Sequence, residues 1–393
     1  MKKFIFLCVL IFISIDVNAQ LHKQSDTLKF GSKPIISVDK ANILENVDVI
    51  ANMQYANNND FQDGKYTSSN FAMNQFRLEV KGMVLDSTVF FRFRDRYTRT
   101  PTVQSVDNVD HSVDMAFVGI NLSNSFSIAF GKMCADYGGY EFDANPIDIY
   151  QYNDIVEEAD NFLTGAQFTW NTHNNQQFTF QVLNARTKTF SELYNSVPDV
   201  NSTKFPAAFV GNWRGSFADG LFSTFWSYSF ITEASEKQVQ YIALGNQLNL
   251  KKVLIQYDFK YMKDDLDRLG VITSLIPESY SPYTALKTSY VEHWLRVQYN
   301  FSPQWNFSLI GMVSDSYWKG NPDETVSNDH IRTAWGVIPS LEFYPFKKLN
   351  LKFFASYVGR DYNYSNTAKS IYDLEDSTTG KVMLGFIAPL KFL

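Results

Sequence analysis

Short runs in which hydrophobic and polar residues alternate recur from about residue 47 to the end of the chain. In residues 87–97, apolar side chains occupy one face, whereas Arg92, Arg94 and Arg96 share the other. Alternation with a period of two predicts a β-strand with one apolar side. Along the chain this pattern predicts sixteen strands, at residues 47–55, 71–82, 87–97, 111–121, 125–134, 163–171, 176–186, 206–215, 221–231, 238–250, 252–263, 288–300, 304–314, 331–343, 349–360 and 380–392.

The predicted connections alternate in length. Tight links follow the even-numbered strands, and a short link at 232–237 is the exception among the others. Long polar segments follow the remaining odd-numbered strands, at residues 56–70, 98–110, 135–162, 187–205, 264–287, 315–330 and 361–379. Bacterial outer-membrane barrels have an even number of strands, short periplasmic turns and longer external loops. The sequence therefore predicts an all-β fold, a transmembrane antiparallel β-barrel over residues 47–393.

The N-terminal sequence predicts export. Lys2 and Lys3 precede an apolar run at residues 4–15, and Ala19 closes a small-residue cleavage site. These features are typical of a secretory signal peptide, predicted here over residues 1–19 and followed by a polar periplasmic lead-in over residues 20–46. The mature chain then contains one cysteine, so no disulfide can form within it. We expect the protein in the outer membrane of a Gram-negative cell.

The charged face of the strands predicts a cationic lumen. An arginine that faces lipid near the bilayer midplane costs ~2–4 kcal/mol, so the arginine ladder, Arg92, Arg94 and Arg96, is expected to point inward. The same parity predicts pore-lining, anion-binding cations at Arg77, Lys81, Arg92, Arg94, Arg96, Arg214, Lys260, Arg296, Arg332 and Lys352. The formal charge of the whole chain is −6, which argues against general binding of nucleic acid.

Much of the acidic charge lies in one segment, residues 135–162, which we term the third loop. It contains no Lys or Arg, and its eight carboxylates are Asp136, Glu141, Asp143, Asp148, Asp154, Glu157, Glu158 and Asp160. The loop's length and its Gly and Pro turns favour a folded element that enters the barrel and narrows the lumen. The alternative is a solvated surface loop that binds divalent cations or bridges lipopolysaccharide.

These motifs together resemble a known family. The Arg-x-Arg-x-Arg strand is followed by Gly131-Lys132, by Tyr-Gly-Gly-Tyr-Glu at 137–141 and by Asn-Pro-Ile-Asp at 145–148. In these features the chain resembles the phosphate-selective porin O and P family, in particular the Bacteroidetes-type outer-membrane porins. The resemblance implies a sixteen-stranded barrel, often trimeric, that passes small anions by diffusion along the arginine ladder. The chain departs from such barrels at its last residue, Leu393, where an aromatic is common.

Two functional classes remain open from the sequence. The first is a diffusive porin, whose partners would be small anionic solutes, outer-membrane lipid, lipopolysaccharide and two further copies of the chain in a homotrimer. The second is a surface receptor or adhesin that binds a partner through loops such as 264–287 and 361–379. The five histidines are dispersed and form no metal-ligand spacing, so neither a metal site, a cofactor nor an enzyme is predicted.

Overall fold

A computed structural model describes residues 47–85, 87–99, 109–194, 197–320 and 329–392. Sixteen antiparallel strands pair in chain order, and the sheet closes because β1 pairs with both β2 and β16, which confirms the predicted barrel. The predicted signal peptide and the lead-in at 20–46 lie outside the described residues. The strands are β1 Val47–Gln62, β2 Lys65–Val84, β3 Val89–Arg99, β4 Val109–Asn121, β5 Phe126–Cys134, β6 Phe162–Asn171, β7 Gln176–Asn184, β8 Ala207–Phe217, β9 Phe222–Ala234, β10 Lys237–Asn249, β11 Val253–Leu266, β12 Leu286–Asn300, β13 Trp305–Trp318, β14 His330–Phe343, β15 Lys352–Tyr364 and β16 Ser377–Lys391.

The outer face of the barrel is apolar and the inner face polar. Phe93, Phe130 and Leu384 face outward and are 39%, 56% and 54% exposed. At one end of the barrel the Trp305 and Phe343 rings pack with centroids 4.7 Å apart, as expected of an aromatic girdle at a membrane interface. The alternation in sequence thus separates a lipid-compatible exterior from a charged interior. No helix among the described residues is both long and apolar enough to cross a membrane.

The first connection differs from the prediction. The segment 56–70, predicted as a long external loop, belongs to a β-hairpin in which β1 and β2 continue to Gln62 and Lys65. The two turn residues, Asp63 and Gly64, both have positive φ, 49° and 73°, as a type I′ turn requires. Apart from Phe61 and Tyr66, whose rings pack together, residues 57–70 are polar or glycine, so these strand ends show no hydrophobic alternation.

Five short helices lie in the described parts of the connections. They are α1 Tyr140–Asp143, α2 Asp154–Glu158, α3 Phe190–Leu193, α4 Val271–Leu275 and α5 Asn366–Tyr372, with 3-10 turns at Pro146–Asp148 and Ala218–Gly220. The loops after β5, β11 and β15 contribute Tyr137, Ile155, Ile272 and Tyr372 to one apolar cluster, which also contains Tyr241 from the inner face of β10. The largest apolar core therefore lies where external loops pack against the inner wall of the barrel.

Candidate functional site

The third loop folds along the inner wall of the barrel, and its first helix begins at a strand carboxylate. Asp258 on β11 accepts hydrogen bonds from the backbone N–H groups of Tyr140 (2.9 Å) and Glu141 (2.8 Å). A Cβ atom placed on Gly245 of β10 would lie only 2.9 Å from the Cα atom of Gly139. A strand glycine is required where another backbone approaches so closely.

A buried ion pair holds the next turn of the loop. Lys260 on β11 pairs with Glu141 of the loop, and its Nζ lies 3.6 Å from a carboxylate oxygen of Glu292 on β12. None of these three side chains has exposed surface. Glu292 also accepts a hydrogen bond of 2.7 Å from the backbone N–H of Ile155 in α2. Lys260, predicted to line the pore, is therefore covered by the loop it binds.

The middle of the loop contacts β14 and β15. The Nζ atom of Lys352 lies 2.8 Å from carboxylate oxygens of both Asp148 and Glu342. The hydroxyl of Tyr150 donates a 3.3 Å hydrogen bond to Glu342. Arg296, on the same side of the barrel, stacks over the Trp294 ring at 5.7 Å. Loop carboxylates and strand cations thus form pairs that cross the space between loop and wall.

Two arginines bind the start of α2. Asp154 pairs with Arg332 of β14, and its other carboxylate oxygen lies 2.7 Å from a terminal nitrogen of Arg360 on β15. Arg360 also donates to the side-chain oxygen of Asn153 at 3.2 Å. Arg332 is therefore directed inward but engaged by the loop.

The first residues of the loop contact β8. A terminal nitrogen of Arg214 lies 3.0 Å from Asp136 and 2.9 Å from Asp143, and the guanidinium stacks 3.6 Å from the centroid of the Phe225 ring. Burial raises the pKa of Asp136, an effect that the Arg214 charge opposes. Arg214 is thus neutralised by two carboxylates of the loop.

Three loop carboxylates have other environments. Asp160 accepts hydrogen bonds from the backbone N–H and the hydroxyl of Thr187, at 2.7 and 2.8 Å. Glu157 and Glu158 are exposed at the end of α2. Desolvation raises the pKa of both, and the neighbouring carboxylates, Glu158 for Glu157 and Asp154 for Glu158, raise it further.

The arginine ladder lies on β3, across the barrel from β11. Arg92 donates hydrogen bonds to both carboxylate oxygens of Glu79 on β2, at 3.1 and 3.3 Å, and Lys81 lies 3.9 Å from the same carboxylate. The side chains of Arg92 and Lys81 are 36% and 43% exposed. These two cations share one carboxylate and remain accessible from the lumen.

A further carboxylate lies within the ladder, and the strand parity did not predict it. The pairing of β3 with β4 shifts between Arg94 and Asp95, so that Asp114 is an additional residue at a β-bulge. Its carboxylate lies 3.8, 3.3 and 3.1 Å from the Nε atoms of Arg77, Arg94 and Arg96, and its side chain is 1% exposed. We term these four residues the Asp114 cluster.

The cations near this carboxylate differ in accessibility. The side chains of Arg77 and Arg94 are only 5% and 9% exposed, whereas that of Arg96 is 36% exposed. The ring of Phe162, the first residue of β6, lies 5.0 Å from the guanidinium of Arg94 and covers it. Strand parity does not distinguish the three ladder arginines. In the structure, Arg92 and Arg96 are partly exposed and Arg94 is buried between them.

A closed sixteen-stranded barrel with an apolar exterior and a charged interior defines an outer-membrane porin channel. A model of the phosphate-selective porin O and P family matches residues 47–386. The chain belongs to the phosphate-selective porin O and P family, as its motifs indicated, and it is a channel protein rather than an enzyme. Among the described residues, no three His, Cys, Asp or Glu side chains are arranged to hold a metal ion.

Solved structures share the fold at low sequence identity. The outer-membrane channel DcaP of Acinetobacter baumannii is 11% identical, with a TM-score of 0.61, and the alignment covers 87% of this chain and 96% of DcaP. OmpF of Salmonella typhi, solved in complex with daunomycin, is 14% identical, with a TM-score of 0.57 and coverage of 87% and 97%. OmpT of Vibrio cholerae is 10% identical, with a TM-score of 0.53 and coverage of 87% and 97%. A search of curated proteins finds no significant match.

Proposed function

We propose that this porin conducts small hydrophilic anions, including phosphate, through the space between the third loop and the wall formed by β2 and β3. The observation that carries the proposal is the unequal distribution of paired charge. The third loop neutralises Arg214, Lys260, Arg332 and Lys352, which lie on β8, β11, β14 and β15. By contrast, the five cations of β2 and β3 contact two carboxylates among the described residues: Arg77, Lys81, Arg92, Arg94 and Arg96 contact Glu79 and Asp114.

The accessible guanidinium groups suit the proposed solute. Arginine keeps its charge at all physiological pH values, and its planar fork can bind phosphate through two hydrogen bonds. Arg92 and Arg96 occupy alternate positions on one face of β3, so a third side chain, Arg94, lies between them. An anion that leaves one of the exposed groups remains in the positive field of the next, and such weak multi-site binding permits exit as well as entry.

Reversal-potential measurements in a salt gradient test this proposal. Changing both Arg92 and Arg96 to Gln removes two accessible charges, and we expect the permeability ratio to move toward cations at low salt. The matched control changes Lys369 and Lys381 to Gln, since these partly exposed cations pair with Asp376 and Asp60 away from the ladder. Screening over ~8 Å at physiological salt should reduce the effect as salt rises. An unchanged ratio in a folded R92Q/R96Q barrel would contradict the proposal.

Lysine substitutions separate charge from hydrogen-bond geometry. The variant in which Arg92 and Arg96 are both Lys keeps two positive charges but loses the planar fork. We expect it to retain the anion preference over cations and to lose part of its preference for phosphate over chloride. If the Lys variant lost its preference for anions over cations as fully as its preference for phosphate over chloride, charge alone would not account for the selectivity.

The route to the membrane and the assembly are part of the same proposal. Residues 1–19 serve as a cleaved signal peptide, and the mass of the purified mature protein should correspond to a chain that begins at Gln20.

Exposed outward residues such as Phe93 and Leu384 contact outer-membrane lipid. We also infer a homotrimer, which crosslinking in the native membrane should detect. Absence of channel conductance in a planar bilayer would favour the receptor or adhesin alternative.

A further inference from the structure

The Asp114 carboxylate occupies a position that only an irregular strand can provide. Val113 and Met115 pair with Asp95 and Arg94, which leaves Asp114 as the unmatched residue between them. A regular β4 would put consecutive residues on opposite faces, so no carboxylate would lie beside Arg94. The bulge directs this side chain into the ladder, where its two oxygens are shared among three guanidinium groups.

This arrangement makes the carboxylate a permanent internal counter-ion. Asp114 Oδ2 faces the buried Nε atoms of Arg77 and Arg94, and Oδ1 faces Arg96, the most exposed cation of the cluster. Three guanidinium groups and one carboxylate have a formal charge of +2. Because the carboxylate is 1% exposed, a solute cannot displace it by competing from the lumen. The Asp114 carboxylate therefore reduces the positive field at Arg96 whether or not a solute is bound.

A channel that conducts anions needs sites from which they can escape. A fully uncompensated group of three arginines would retain a multivalent anion and block the current, whereas a compensated group releases it. We propose that Asp114 is a specificity-determining residue that weakens the hold of the ladder on phosphate and so allows conduction. This inference rests on the proposed anion conduction, and it assigns to Asp114 a role through the arginines rather than through contact with the solute.

The test is the inhibition of chloride current by inorganic phosphate in a planar bilayer. Asp114→Asn keeps the size of the side chain and removes its charge. We expect the phosphate concentration that halves the chloride current to fall about fivefold or more. Removing the carboxylate raises the net charge of the cluster by one, and this charge attracts phosphate at any distance within a Debye length. The matched control is Asp60→Asn, which removes one carboxylate from an ion pair with Lys381 (3.6 Å) outside the ladder. The control should leave phosphate inhibition at the wild-type value.

A second variant tests the proposal if D114N does not fold, as judged on gels by the lack of the heat-dependent mobility shift of an intact barrel. Arg77→Gln removes one buried cation of the same cluster and should shift phosphate inhibition in the opposite direction, to higher concentrations. Wild-type inhibition in folded D114N, or in folded R77Q where D114N does not fold, would overturn the role of Asp114. Failure of the proposed function is a separate result, since it would appear as a wild-type channel without anion preference in the salt gradient.

Discussion

The ammonium group of Lys260 on β11 forms an ion pair with Glu141 of the third loop, and neither side chain has exposed surface. Glu292 and Asp258 lie beside them, so one cation stands among three carboxylates. Removing one partner of a buried ion pair typically costs ~3–5 kcal/mol, because the other charges stay buried without compensation. Lys260 should therefore be a principal anchor of the loop.

Lys260→Met is expected to release the loop from β11. The expected result is a larger and noisier single-channel conductance, with a lower temperature for loss of the heat-modifiable barrel on gels. Lys381→Gln is the control, because that cation is 42% exposed and its pair with Asp60 lies elsewhere. A K260M channel with wild-type conductance would show that the hydrogen bonds to Asp258 hold the loop without the ion pair.

The close approach of the loop backbone to β10 gives a steric prediction. A side chain at Gly245 would meet Asp258 Oδ1 at 2.8 Å and the Cα atom of Gly139 at 2.9 Å. Gly245→Val should displace α1 and raise conductance while the barrel still forms. Gly311→Val is the matched control, because a Cβ atom there has no heavy atom within 4 Å. Equal conductance in the two variants would contradict the inferred packing.

The sequence predicts the barrel well because one physical rule applies to every strand. Lipid on one side and water on the other enforce the alternation, and this rule placed the strand ends within a few residues, except where β1 and β2 continue to Gln62 and Lys65. The rule fails where lipid is absent. The hairpin around Asp63 and Gly64 has polar residues on both faces, and its only local signal was the Asp-Gly pair itself.

The candidate site is less predictable because it depends on contacts between distant segments. Asp114 was missed since a bulge changes the parity of β4 by one residue, which no periodicity reveals. The ring that covers Arg94 belongs to Phe162, which is placed by the pairing of β6 with β5, so no pattern within β3 reveals this burial. Parity predicts which side chains point inward, but it cannot say which of these cations the loop covers.

Deletion of residues 140–158 gives a direct prediction about the third loop. It removes α1, α2 and the carboxylates that pair with Lys260, Lys352 and Arg332. We expect higher single-channel conductance and weaker discrimination by charge, because a wider lumen screens the remaining wall charges more completely. Deletion of α3, Phe190–Leu193, is the control for shortening an external loop. Unchanged conductance in a folded deletion variant would place the loop outside the conduction path.

The exposed end of α2 predicts a response to pH. Desolvation raises the pKa of Glu157 and of Glu158, and the neighbouring carboxylate adds to each shift. As the pH falls, these groups therefore take up protons before an ordinary glutamate, whose pKa is ~4.3. The loop then loses negative charge, and the permeability ratio should move toward anions.

Reversal potentials measured from about pH 7.5 down to about pH 5, a range that lies above the ordinary glutamate pKa of ~4.3, test this direction. The double variant Glu157→Gln with Glu158→Gln lacks both titrating groups, so its permeability ratio should depend less on pH. Its ratio should equal that of the wild type only at the acid end of the range, where the wild-type glutamates are protonated. Glu192→Gln is the control, since hydrogen bonds from Thr189 lower the pKa of Glu192 and keep it charged over this range. If the double variant and wild type respond equally to pH, other groups in the lumen carry the titration.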